Sequence, residues 1–101
     1  MELTEQQKQI FKKAIEKFGN KHQIIKAIEE LSELQKELCK FLNSDVVNFD
    51  ISEIGNEFAD VIIMNYQLKK ILDKLYPSFD EYLREMIDFK AKRLKKLINN
   101  S

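Results

Sequence analysis

Residues 26–40 read KAIEELSELQKELCK. The stretch has no Gly or Pro and is dominated by residues that favour a helix. Its apolar residues Leu31, Leu34 and Leu38 recur at steps of three and four, the repeat of one helix face. The acids share that repeat. Glu30 and Glu33 stand three apart, so their carboxylates leave the helix side by side. Like charges at this spacing weaken an isolated helix. What they face therefore decides the reading of the chain.

Outward from this stretch, the apolar stripe runs through Ile24, Ile28, Leu31, Leu38 and Leu42, with Leu34 and Phe41 widening one edge. A helix from about His22 to Asn43 is expected. Upstream, Thr4 and Gln7 form a capping box, followed by Ile10, Phe11, Ala14, Ile15 and Phe18 at helical spacing. Gly19-Asn20 ends that first helix. Downstream, NSDVVNFDIS (43–52) reads as an extended loop because Asn, Asp and Ser are turn formers. A third helix follows, capped by Asp50 or Ser52 and running to about Leu75. Its apolar arc is wide: Ile54, Phe58, Val61, Ile62, Met64, Leu68, Ile71, Leu72 and Leu75. Such a helix needs neighbours on more than one side, and part of that surface is expected against another subunit. The triplet YPS (76–78) breaks the chain. Ser78 and Glu81 read as a second capping box, opening a fourth helix through Tyr82, Leu83, Met86, Ile87, Leu94 and Leu97.

The expected fold is all-α: a four-helix antiparallel bundle-type domain, single over residues 1–101 and completed by oligomerisation. The composition agrees, with only two Gly, one Pro and no Trp in 101 residues. Lys plus Arg and Asp plus Glu both number 17, so the net charge is zero and no global basic field calls for nucleic acid. A local basic run, KAKRLKK (90–96), needs its own account. The single Cys39 cannot close an internal disulfide; it reads as a small core residue in a reducing compartment. The start MELTEQQKQ is polar and unlike a secretory signal, and the central run VIIM is far too short to span a bilayer. A cytoplasmic protein with neither membrane nor nucleic-acid partners is expected.

A second acid pair, Glu57 and Asp60, repeats the three-residue spacing on the third helix. Glu57 falls in angle between Leu68 and Met64, inside the apolar arc, and Asp60 falls at its edge. An ionised carboxylate there costs several kcal/mol unless it is paired or bound to metal. Helices two and three, joined by one loop, would be antiparallel neighbours, and their acid pairs could then converge. Hard oxygen donors select Mg²⁺, Mn²⁺ or Ca²⁺. The bland alternative is a set of solvated faces, with Glu29, Glu37 and Glu53 of that kind and Lys26 or Lys36 as partners.

The ordered pattern resembles a known family. Glu29-Glu30-Leu31-Ser32-Glu33 fits E-E-x-x-E, and Glu57-Phe58-Ala59-Asp60 fits E-x-x-D. With FGNKHQIIKAIEELSEL (18–34), NEFADVIIMNYQL (56–68) and FKAKRL (89–94), the chain is similar to the MazG-like all-α nucleoside triphosphate pyrophosphohydrolases from about Phe18 to Leu97. The resemblance implies cleavage of a nucleoside triphosphate between its α and β phosphates, with Mg²⁺ as cofactor and Mn²⁺ as a substitute. It implies Glu30, Glu33, Glu57 and Asp60 as metal ligands. It leaves Glu29, counted among the catalytic acids, either to hold a water or to lie behind the ligands. Lys90 and Arg93 match its K-x-x-R and would grip phosphate oxygens, Arg as a planar fork and Lys as a point charge. Phe18, Gln23 and Asn65 are the candidates by type for holding the base. His22 is a weaker one, and Gln23 matches a family position. A homodimer or homotetramer is also implied. Asn56 stands where many relatives carry another acid, and Leu97 where some carry a second Arg. Two other readings stay open: a dUTP- or dCTP-restricted hydrolase of the same superfamily, and a non-catalytic helical interaction module.

Overall fold

The computed structural model describes residues 1–45 and 48–101. Four helices make up the described residues: α1 (Glu5–Phe18), α2 (Asn20–Leu42), α3 (Ser52–Leu75) and α4 (Phe79–Asn99), with no strand among them. The all-α, four-helix reading holds. The chain falls into two units, Met1–Ile71 and Leu72–Ser101, and α3 ends four residues into the second.

Local chemistry explains most helix ends. At α1, the Gln7 backbone N–H donates to Thr4 Oγ1 (3.1 Å) and the Thr4 N–H donates to Gln7 Oε1 (2.9 Å), which is the predicted capping box. Gly19 closes α1 through its N–H to the Ile15 carbonyl at 2.8 Å, with φ at +91°, a value residues with a Cβ avoid. One such residue suffices for the corner, so α2 begins at Asn20, two residues earlier than expected. Before α3, Asp50 Oδ1 accepts from the Ser52 N–H at 2.9 Å. The backbone and hydroxyl of Ser52 hold the Asp50 carboxyl below its usual range. The predicted loop over 43–52 is present on both sides of Val46 and Val47, which lie outside the described residues. Phe41, in the last turn of α2, makes an edge-to-face contact with Phe49 inside the loop, with centroids 5.3 Å apart.

The second capping box does not form. Ser78 precedes α4 with φ −91° and ψ 4°, and its side chain makes no cap hydrogen bond. An N-cap hydroxyl reaches the first turn from extended backbone, and Ser78 is folded too tightly for that.

Within the first unit, α2 and α3 run antiparallel. Gln23 meets Gln67, Glu30 meets Asp60 and Phe41 meets Phe49 at the loop, so one index rises as the other falls. Phe11 of α1 packs edge-on against Tyr66 of α3, with centroids 6.1 Å apart. The buried apolar residues of the described chain are Ala27, Met64 and Ile71.

The predicted α2 stripe is not the buried one. Ile24, Ile28, Leu31, Leu38 and Leu42 are all exposed, Ile28 at 60% and Leu42 at 80%. The face that packs inside the chain instead carries the buried Gln23, Ala27 and Glu37 and the half-buried Glu30, Leu34 and Phe41. At 100° per residue the two faces are about 100° apart, and the more polar one carries the Gln23–Gln67 hydrogen bond. Cys39, expected in the core, is exposed on the other face. Glu37, expected on a solvated face, is buried and paired with Lys40 at 3.1 Å. No helix among the described residues is long and apolar enough to cross a membrane.

The two capping sites predict opposite outcomes. Thr4→Ala removes the hydroxyl that accepts from the Gln7 N–H in a formed box and should cost about 1 kcal/mol, lowering Tm by roughly 4–8 °C for a chain of this size. Ser78→Ala removes no bond and should leave stability within about 0.5 kcal/mol of wild type. Thermal unfolding of the two variants checks both.

Candidate metal centre

Three carboxylates meet on the α2–α3 interface. Glu30, Glu57 and Asp60 each offer an oxygen within 4.8 Å of the others, and all three side chains are half-buried. The helical repeat places them. Glu57 and Asp60 lie one turn apart on the face of α3 that also carries Met64, Gln67 and Ile71. Glu30 lies on the packed face of α2, two turns beyond Gln23.

Glu30 records the electrostatics of this arrangement. Its pKa is raised above the ordinary value of 4.5, first by burial, then by a hydrogen bond with Asp60 and by the negative charge of Asp60. Lys26, 3.8 Å from Glu30 Oε1, opposes that shift, and Glu57 adds to it. Asn56, the departure from the family pattern, donates its side-chain amide to Glu57 Oε1 at 3.4 Å.

The other predicted site residues lie as follows. Glu33 is exposed and outside the cluster, so three of the four predicted ligands converge. It lies about 60° further round α2 than Glu30, toward solvent. Glu29 is exposed and lines a surface cavity of about 220 Å³ with His22, Ile25 and Lys26. Phe18 is 54% exposed and stacks on His22, with centroids 5.4 Å apart. Asn65, expected inside the apolar stripe, is exposed, because it lies about 100° from the buried line through Met64. Gln23 is buried and engaged on both sides: its Oε1 faces His22 Nδ1 at 2.7 Å and its Nε2 donates to Gln67 Oε1 at 2.9 Å. Lys90 and Arg93 are exposed on α4 and line a shallow cavity of about 210 Å³ with Leu94 and Leu97.

Gln67 is the residue missing from the sequence reading. It is 2% exposed, and its Nε2 donates to the Phe11 carbonyl at 2.9 Å. A signal was present in the spacing: Gln23 precedes Glu30 by seven residues, and Gln67 follows Asp60 by seven. Two turns separate amide from carboxylate on each helix.

Three carboxylate oxygens, partly withdrawn from water and free of His or Cys, form a hard, anionic donor set. That chemistry fits Mg²⁺ or Mn²⁺. Comparison of the chain with protein-family models, curated proteins and solved structures finds no match.

The raised pKa of Glu30 has a defined sign in stability. The fold favours the protonated form, so Glu30 supports folding most below 4.5, and that support is lost as pH rises through the higher folded value. Glu30→Gln should therefore melt above wild type at pH 7 in a chelating buffer. The gap should close as pH falls below 4.5, where the wild-type side chain is neutral in both states. Melting curves across this pH range check it.

Proposed function

We propose that the protein is a Mg²⁺-dependent nucleoside triphosphate pyrophosphohydrolase that releases a nucleoside monophosphate and pyrophosphate. The observation that carries this reading is the approach of Glu30, Glu57 and Asp60 within 4.8 Å across two helices. These are three of the four ligands that the motif resemblance implies, contributed by both acidic motifs.

Glu30, Glu57 and Asp60 would hold the cation. Bound there, Mg²⁺ supplies charge neutralisation for a triphosphate and acidifies water at the site. The chain's own residues do the rest. Glu29 and Glu33 are exposed carboxylates on the same helix, available to orient a water molecule and take its proton. Lys90 and Arg93 are exposed cations on α4 at the K-x-x-R spacing that the motif resemblance reads as phosphate-binding. The stacked Phe18–His22 pair offers an aromatic face to a base. Gln23, with its amide engaged, leaves base recognition to such exposed groups. The protein acts as a homo-oligomer in a reducing, cytoplasmic setting. The exposed apolar arc of α2 favours self-association, and the unpaired Cys39 is compatible with that compartment.

The direct test is to incubate the protein with Mg²⁺ and a panel of ribo-, deoxy- and modified triphosphates, and to identify the phosphorus product. Pyrophosphate is expected. Glu57→Gln removes a proposed ligand and should lower turnover by at least about 10–100-fold. Turnover of dUTP or dCTP alone would identify the restricted hydrolase. Orthophosphate with a diphosphate would refute the assigned bond. Absence of turnover across the panel would favour the interaction module.

Sedimentation equilibrium tests the assembly. A dimer or tetramer is expected, and Ile28→Glu with Leu31→Glu should shift it toward monomer by placing charge on the apolar arc. A wild-type monomer at every concentration would contradict it.

A further inference from the structure

The least accessible large side chain in the described residues is an amide. Gln67 is 2% exposed and Gln23 is 4% exposed. The Phe11 carbonyl fixes the direction of their hydrogen bonds. A carbonyl only accepts, so Gln67 turns Nε2 toward it and presents Oε1 to Gln23. Gln23 then donates through Nε2 and presents its own Oε1 to His22 Nδ1, which supplies the proton. One directed relay thus ties α1, α2 and α3 together.

Its surroundings make this pairing selective. On the packed face of α3, the residues one turn either side of Gln67 are Met64 and Ile71, both buried and apolar. One turn along α2 from Gln23 is the buried Ala27. A one-turn slip that brings Gln67 to Ala27 and Gln23 to Ile71 leaves both amides against hydrocarbon without partners, and the opposite slip sets Gln23 against Met64 and Gln67 against the Gly19–Asn20 corner, at the desolvation cost of unmet hydrogen bonds. Apolar contact alone lacks that discrimination, because it is non-directional. Ala27 and Met64 lie one turn beyond the amides, and Glu30 and Asp60 one turn beyond those. A slip that separates the amides also moves Asp60 off Glu30.

We propose that the Gln23–Gln67 amide pair locks the register of α2 against α3, and that Gln67 is a positioning residue for the Glu30–Glu57–Asp60 cluster. The lock is a property of the helix pair; its importance to a metal centre rests on the function proposed above. The test uses metal-free full-length protein, so failure of that function leaves it intact. Gln23→Met, Gln67→Met and the double variant keep side-chain length while removing the amides. Each single variant strands one amide and should melt below wild type, while the double variant should recover much of the combined loss. Methyl-labelled wild type should show one set of Ala27–Met64 cross-peaks. The double variant should keep its helix content but show split Ala27 resonances, with new cross-peaks from Ala27 to position 67. A single unshifted Ala27–Met64 set in the double variant would overturn the proposal, as would single-variant losses that simply add. If the double variant loses its helices, Gln67→Asn decides. Its amide is one methylene too short for the relay, so split resonances support the lock and a single set overturns it.

Discussion

Three carboxylates held together across two helices impose the constraint on which the α2–α3 pair depends. Two ionised groups 4.8 Å apart repel by roughly 3–4 kcal/mol at an effective dielectric near 20. The buried apolar side chains of the described residues are Ala27, Met64 and Ile71. Full burial of a Met or Ile contributes about 1.5–3 kcal/mol each. Repulsion on this scale is comparable with such a contribution, and lowering the charge relieves it. In the chain alone it falls through Glu30, whose pKa is raised and which shares a hydrogen bond with Asp60. A divalent cation would reduce the same charge while leaving all three groups ionised.

The polar residues on the α2–α3 interface divide the labour that a larger apolar core would perform. The amides at Gln23 and Gln67 are satisfied in a single direction that ends at the Phe11 carbonyl. The carboxylates two turns away inherit their separation from that arrangement. The apolar surface of α2 then remains exposed, from Ile24 to Leu42. The same sequence repeat thus gives two faces, one polar and packed within the chain, the other apolar and outward.

Much of the fold was legible because it is set locally. The Thr4–Gln7 box, the Gly19 corner and the Asp50 turn depend on residues four or fewer positions apart, and each formed. Ser78 failed for a local reason as well, since residue type alone does not fix its ψ. The acid pairs were legible from spacing, and three of the four predicted ligands converge. Which α2 face packs inward was not legible. Hydropathy ranks Ile24, Ile28 and Leu31 above Gln23 and Ala27, whereas the face that packs inward carries a hydrogen bond between residues 44 positions apart, a pairing that no local pattern announces. Cys39 and Asn65 lie outside the core and Glu37 inside it, each according to its position relative to the packed helix face.

The central claim is that the α2–α3 cluster is a divalent-cation site. Electron paramagnetic resonance of Mn²⁺ measures this directly, because the free-ion signal is lost on binding. Titration of the protein should quench the signal, with Mg²⁺ restoring it by competition and Glu57→Gln failing to quench it. A folded wild-type protein that leaves Mn²⁺ free at millimolar concentration would contradict the account and leave the three acids as a proton-sharing cluster alone.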